Sequence, residues 1–114
     1  MADLYDLISR SKLLILASPI HFSGPSSILK TAIDRFQPYW FNKERRTPAF
    51  CAALLCGGSP SPNFEISEKI FRAFSVTTGM KYLGALTVPD TDNGVEGLET
   101  IVPAFIGELR KEMA

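Results

Sequence analysis

Leu13-Leu14-Ile15-Leu16-Ala17 is an unbroken apolar run that passes through Ser18-Pro19-Ile20-His21-Phe22-Ser23-Gly24-Pro25 and opens into helical spacing from Ser26 to Phe36. This order reads as strand, loop, helix. The run does not alternate with polar residues, so both faces of the strand should be covered, as in a parallel sheet flanked by helices. Ligands in such sheets sit outside the carboxyl ends of the strands, which is where this loop lies. The loop is therefore the first place to look for function.

Working outward, Ser26 or Ser27 can cap the helix, with Ile28, Leu29, Ala32, Ile33 and Phe36 as its apolar stripe and Lys30 and Asp34 as a surface pair four residues apart. Upstream, Leu4, Leu7 and Ile8 predict a helix over Asp3 to Ser11, with acids early and bases late, as the helix dipole favours. Downstream, Gln37 to Pro48 reads as an irregular excursion. Its Pro38-Tyr39-Trp40-Phe41 is satellite core, a ligand wall or a subunit contact, and its Lys43-Glu44-Arg45-Arg46 is a solvated basic run.

Phe50 to Cys56 is a second buried strand, ending at Gly57-Gly58-Ser59-Pro60 as the first ended at Ser18-Pro19. Glycines there allow backbone N–H groups to approach a flat or anionic ligand, and a tight turn accounts for them equally well. A helix over Phe64 to Met80 buries Ile66, Ile70, Phe71 and Phe74 and stops at Gly79. Tyr82 to Val88 is a third strand, followed by the polar turn Pro89 to Gly94. A last helix begins at Glu96 or Gly97 and turns Leu98, Ile101, Val102, Phe105, Ile106 and Leu109 inward; Pro103 kinks it or marks a later start. Strands alternating with helices make right-handed connections and a parallel sheet, so the class is α/β.

The 114 residues suffice for one domain, 1–114, and at 46% hydrophobic and 21% charged they suit a packed core. Twelve basic residues balance twelve acidic ones, so no bulk field draws the chain to nucleic acid or anionic lipid. No apolar run is long enough to span a membrane, and the opening MADLYDLISR lacks the order of a signal peptide, so a cytoplasmic address is expected. Cys51 and Cys56 lie on one predicted strand, where a mutual bond is geometrically poor and two sulfurs make an incomplete metal site; both are expected as buried free thiols.

Ala17-Ser18-Pro19-Ile20-His21-Phe22, then Leu29-Lys30, then Ile33-Asp34-Arg35 resembles the strand, Ser-Pro-x-Tyr, Leu-Lys-x-x-x-Asp-Arg pattern of the flavodoxin-like NAD(P)H-dependent FMN reductases, including their quinone-reductase and iron-sulfur flavoprotein branches. The resemblance spans nearly the whole chain and covers the carboxyl-terminal part of the family pattern. It implies that Ser18, Pro19, Ile20, His21 and Phe22 form one wall of an FMN site, and that Cys56, Gly57, Gly58 and Ser59 form the second flavin loop. His21 stands where the family usually has tyrosine. No catalytic acid-base pair and no metal ligand set is implied.

The family's opening strand, Ser/Thr/Gly-rich phosphate loop, helix and second strand have no counterpart among these residues, which yields a truncated flavodoxin-like three-layer fold with a three-stranded parallel sheet. In the flavodoxin order 2-1-3-4-5 the strand Leu13 to Ala17 then becomes an apolar edge in need of cover. A homo-oligomer, most simply a dimer, or a chain supplying the missing amino-terminal half is the expected partner. Function divides between two readings. One is a flavin-dependent oxidoreductase using FMN and NAD(P)H; the other is a shortened, non-catalytic module acting through dimerisation or a partner chain.

Overall fold

A computed structural model describes residues 2–36 and 46–114. The aromatic stretch Pro38 to Phe41 and the basic residues Lys43 and Arg45 lie outside the described residues. Three strands, β1 (Leu13–Pro19), β2 (Phe50–Cys56) and β3 (Lys81–Val88), form one sheet in the order β1-β2-β3. Both pairings are parallel. Leu13 to Pro19 run opposite Phe50 to Cys56 without a break, whereas β3 carries one extra residue between Tyr82 and Ala85. Gly84 lies in that irregularity at φ +120°, a conformation that side chains resist.

Among the described residues, four α-helices flank the sheet: α1 (Ala2–Ser9), α2 (Ser27–Asp34), α3 (Glu65–Thr77) and α4 (Leu98–Met113). The first three share one face, where Ile8, Leu16, Phe36, Cys51, Ala53, Leu55, Phe71, Phe74 and Met80 form the core. Phe36 sits in the middle of an edge-to-face aromatic chain, with ring centroids 5.5 Å from Tyr5 and 5.2 Å from Phe74. Such pairs add modestly to burial and fix ring orientation. Tyr5 also donates its hydroxyl to the Arg35 carbonyl, tying α1 to the end of α2.

The α/β class, the three strands, their order and the four helices agree with the sequence reading. Ser26 caps α2 by accepting from the Leu29 N–H at 3.2 Å, and Lys30 and Asp34 pair at 2.7 Å. Gly79 adopts φ +82° just beyond α3, as a helix stop requires. Both cysteines are free, but only Cys51 is buried; Cys56, at the end of β2, is half-buried.

The expectation of a strand covered on both faces fails at β1. Leu16 and Ser18 are buried, but Ile15, Ala17 and Pro19 on the opposite face are exposed, Ile15 by 44%. The reason is the position of α4, which lies against β3 and leaves the outer face of β1 bare. The apolar helix stripes are likewise narrower than their spacing implied. Leu4, Leu7, Ile28, Ile66, Ile101, Val102 and Ile106 are exposed, whereas Tyr5 turns inward on α1 and Leu109 is the buried anchor of α4. Pro103 neither ends nor delays α4, which runs through it from Leu98.

Candidate functional site

Three loops meet at the carboxyl end of the sheet. The first leaves β1 through a tight turn in which the His21 N–H donates to the Gly24 carbonyl at 2.8 Å and the Gly24 N–H donates back at 3.0 Å. Phe22 (φ 49°) and Ser23 (φ 68°) occupy its two left-handed positions. Such positions favour glycine or asparagine, so the turn stores strain of order ~1–3 kcal/mol per residue. The surroundings hold it in place. Ser67, fully buried on α3, donates its hydroxyl to the Ser23 carbonyl at 2.8 Å. Ser18 accepts from the Ser26 N–H at 2.9 Å and donates to the Pro19 carbonyl at 2.7 Å, closing the loop over its own root.

The second loop, Gly57 to Asn63, is stapled to the third, Pro89 to Asn93. The Gly57 N–H donates to the Val88 carbonyl at 3.0 Å, and the N–H groups of Asp90, Thr91 and Asp92 donate to the carbonyls of Ser59, Gly57 and Gly58 at 2.7, 3.1 and 3.2 Å. Every carbonyl from Gly57 to Ser59 is thereby engaged. Among the described residues, the N–H groups of Gly58 and Ser59 have no protein acceptor. Asp90 is left-handed (φ 61°), and the Asn93 amide donates to its carboxylate at 2.6 Å, which shapes the third loop. Asn63 accepts from the Glu65 N–H at 3.0 Å and so opens α3.

Between these loops lies a polar cleft of about 400 Å³, lined by Ile20, Ser23, Gly57, Gly58 and Ser59 together with Ser61, Pro62, Asn63 and Asp92. A second cavity of about 360 Å³ adjoins it on the bare sheet face. That groove is apolar, with Ala17, Pro19, Leu54, Cys56, Leu86 and Val88 as floor and Leu98 and Val102 of α4 as one wall.

The nine residues singled out from the sequence are divided by the fold. Ile20, Gly57, Gly58 and Ser59 come together in the polar cleft, while Pro19 and Cys56 line the apolar groove instead. The Ser18 side chain is buried and fully used within its loop, and His21 and Phe22 stand exposed on the tight turn beside the cleft. Asp92 was missed, although its turn had been placed at a strand's carboxyl end. Its signal lies in spacing that only the staple reveals, since its backbone is held against Gly58 from the far side of β2.

The titratable groups with displaced behaviour lie at the opposite, amino-terminal end of the strands. Burial raises the Cys51 thiol above its ordinary range. Burial, and then the Glu68 carboxylate beside it, raises the Tyr82 phenol. Neither group reaches the cleft, which offers backbone donors, hydroxyls and one carboxylate. Such a set suits a flat neutral heterocycle whose edge alternates acceptors with a donor, as the pyrimidine edge of an isoalloxazine does. The donor chemistry of the cleft therefore fits a flavin ring.

The comparisons agree with the fold. An NADPH-quinone reductase from P. pentosaceus superposes with a TM-score of 0.73 at 16% identity, over 91% of this chain and 70% of that one. A flavone reductase gives 0.71 at 16% identity, covering 94% of this chain and 43% of the other. The apo form of an NADH:FMN oxidoreductase gives 0.63 at 18% identity, over 98% and 57%. The chain thus spans between 43% and 70% of the length of these structures. At such identities they establish the shared flavodoxin-like fold. No curated protein matches the sequence. The sequence pattern of the NADPH-dependent FMN reductases matches residues 1–93, a span holding all three strands, both flavin-loop candidates and Asp92, and the chain belongs to that family.

Proposed function

We propose that the chain is a flavin-dependent oxidoreductase module that seats the ring of FMN in the cleft between the β1 loop and the Gly57 to Asn63 loop. The observation that supports this reading is the pair of unengaged N–H groups at Gly58 and Ser59, in a polar cleft at the carboxyl end of a parallel sheet. FMN held there would supply hydride-transfer chemistry between NAD(P)H and an electron acceptor. The chain's own part is to hold. Gly58 and Ser59 donate to the ring edge, and Ile20 presents an apolar side. The 114 residues act here as one flavodoxin-like unit in the cytoplasm.

Titrating the purified protein with FMN tests this directly. Flavin fluorescence is expected to be quenched and the absorbance bands to shift, with saturation at one flavin per chain; unchanged spectra at high micromolar protein would refute it. The two glycines separate fold from site. A Cβ on Gly57 would lie 2.5 Å from the Pro62 ring, which cannot move freely, so Gly57→Ala is expected to cost about 1–3 kcal/mol of stability. A Cβ on Gly58 would meet the Asp92 carboxylate at 2.6 Å, and that side chain can swing away. Gly58→Ala should therefore unfold at nearly the parent temperature yet bind FMN about tenfold more weakly.

A second reading, assembly with another copy of the chain, is favoured by the bare outer face of β1 and by the apolar groove beside it. Among the described residues β1 pairs with β2 alone, so one row of its backbone groups is open to a further strand. We infer a dimer built on this edge. It is compatible with flavin binding, because the groove and the polar cleft are separate cavities, and it also suits a non-catalytic module.

A further inference from the structure

Among the described residues that line the polar cleft, one side chain is charged, and it is an acid. Asp92 lines the cleft with its carboxylate packed against the Cα of Gly58, where an added Cβ would meet both oxygens at 2.6 Å. Its N–H is committed to the Gly58 carbonyl at 3.2 Å, which fixes the backbone beneath the carboxylate. Among the described residues no lysine, arginine or hydrogen-bond donor engages that carboxylate, and none of the described residues lining the cleft is basic. An acceptor without a partner therefore stands beside two donors without partners, the N–H groups of Gly58 and Ser59.

Two free backbone donors alone would suit a phosphate as well as a ring edge. The carboxylate decides between them. A phosphate seated on Gly58 would face a like charge with no basic residue among the described lining to offset it, whereas an imide N–H would find a charged acceptor beside two donors. The pyrimidine edge of an isoalloxazine presents this complement, with carbonyl oxygens on either side of N3–H. We propose that Asp92 is a specificity residue that accepts the flavin N3–H. The proposal rests on the flavin reading above and adds to it the side chain that reads the pyrimidine edge of the ring.

Two probes test this by fluorescence titration: lumiflavin and lumiflavin methylated at N3. The wild-type protein is expected to bind lumiflavin at least about tenfold tighter than the N3-methyl ring, the weight of one charge-assisted hydrogen bond. Asp92→Ala should weaken lumiflavin to the level of the N3-methyl ring while leaving the latter unchanged; Asp92→Asn, whose amide carbonyl still accepts, should restore part of the preference. Thermal unfolding of both variants should match the parent, since the side chain is exposed. Equal binding of the two lumiflavins by wild type would overturn the role of Asp92 and leave the flavin reading intact. A gain in N3-methyl affinity in Asp92→Ala would mean that the side chain acts by bulk, which also overturns it. Failure of every flavin to bind would remove the proposal together with the reading beneath it.

Discussion

Ile15→Lys is expected to yield a folded monomer, whereas Leu14→Lys next to it is expected to prevent folding. Adjacent strand residues point to opposite faces, and here the faces differ in kind. Leu14 packs against the core under α1 and α2, so a lysine there would place a charge among Ile8, Leu16 and Phe36 with no partner. Ile15 lies on the bare face, 44% exposed, at the open edge of the sheet. A lysine at such an edge blocks strand pairing and costs the isolated fold little. Light scattering at micromolar concentration, with circular dichroism alongside, reads both results. A wild-type protein that is already monodisperse as a monomer would contradict the proposed dimer, and a dimeric Ile15→Lys variant would place the contact elsewhere.

Phe71→Ala should produce the largest loss of stability among single core truncations, about 3–5 kcal/mol. Phe71 is fully buried in the centre of α3, in one core with the β2 residues Cys51, Ala53 and Leu55, which are fixed in the sheet and cannot collapse into the space it leaves. Domains of this size have about 5–15 kcal/mol in all, so the variant should unfold at a markedly lower denaturant midpoint. The same measurement on Ile66→Ala, at an exposed position of the same helix, should show little change. Equal losses at the two sites would contradict the assignment of the helix face.

The contrast between Phe71 and Ile66 also shows where the sequence was legible. Long apolar runs gave the strands and their parallel order, because periods of two and of 3.6 are set by backbone geometry. Which of several apolar residues on a helix turns inward depends on how the helix is seated, so Leu4, Ile28 and Ile66 were misplaced while Ile8 and Phe71 were not. The same holds for β1: its composition announces two buried faces, and only the placement of α4 over β3 shows that one of them is bare. At the site, residues adjacent in sequence scattered. Ser18 was absorbed by its own loop, and Cys56 faced the apolar groove because it points to the side of the sheet opposite Leu55. Asp92 was illegible for a different reason, since it enters the cleft through hydrogen bonds between two loops more than thirty residues apart in sequence.

The most direct test of the central claim is a crystal structure grown with FMN. The ring is expected in the cleft at the carboxyl ends of β1 and β2, with its pyrimidine edge toward Gly58, Ser59 and Asp92 and with Ile20 against one side. Flavin density at the amino-terminal ends of the strands, near Tyr82 and Cys51, or in the apolar groove beside α4, would contradict the account.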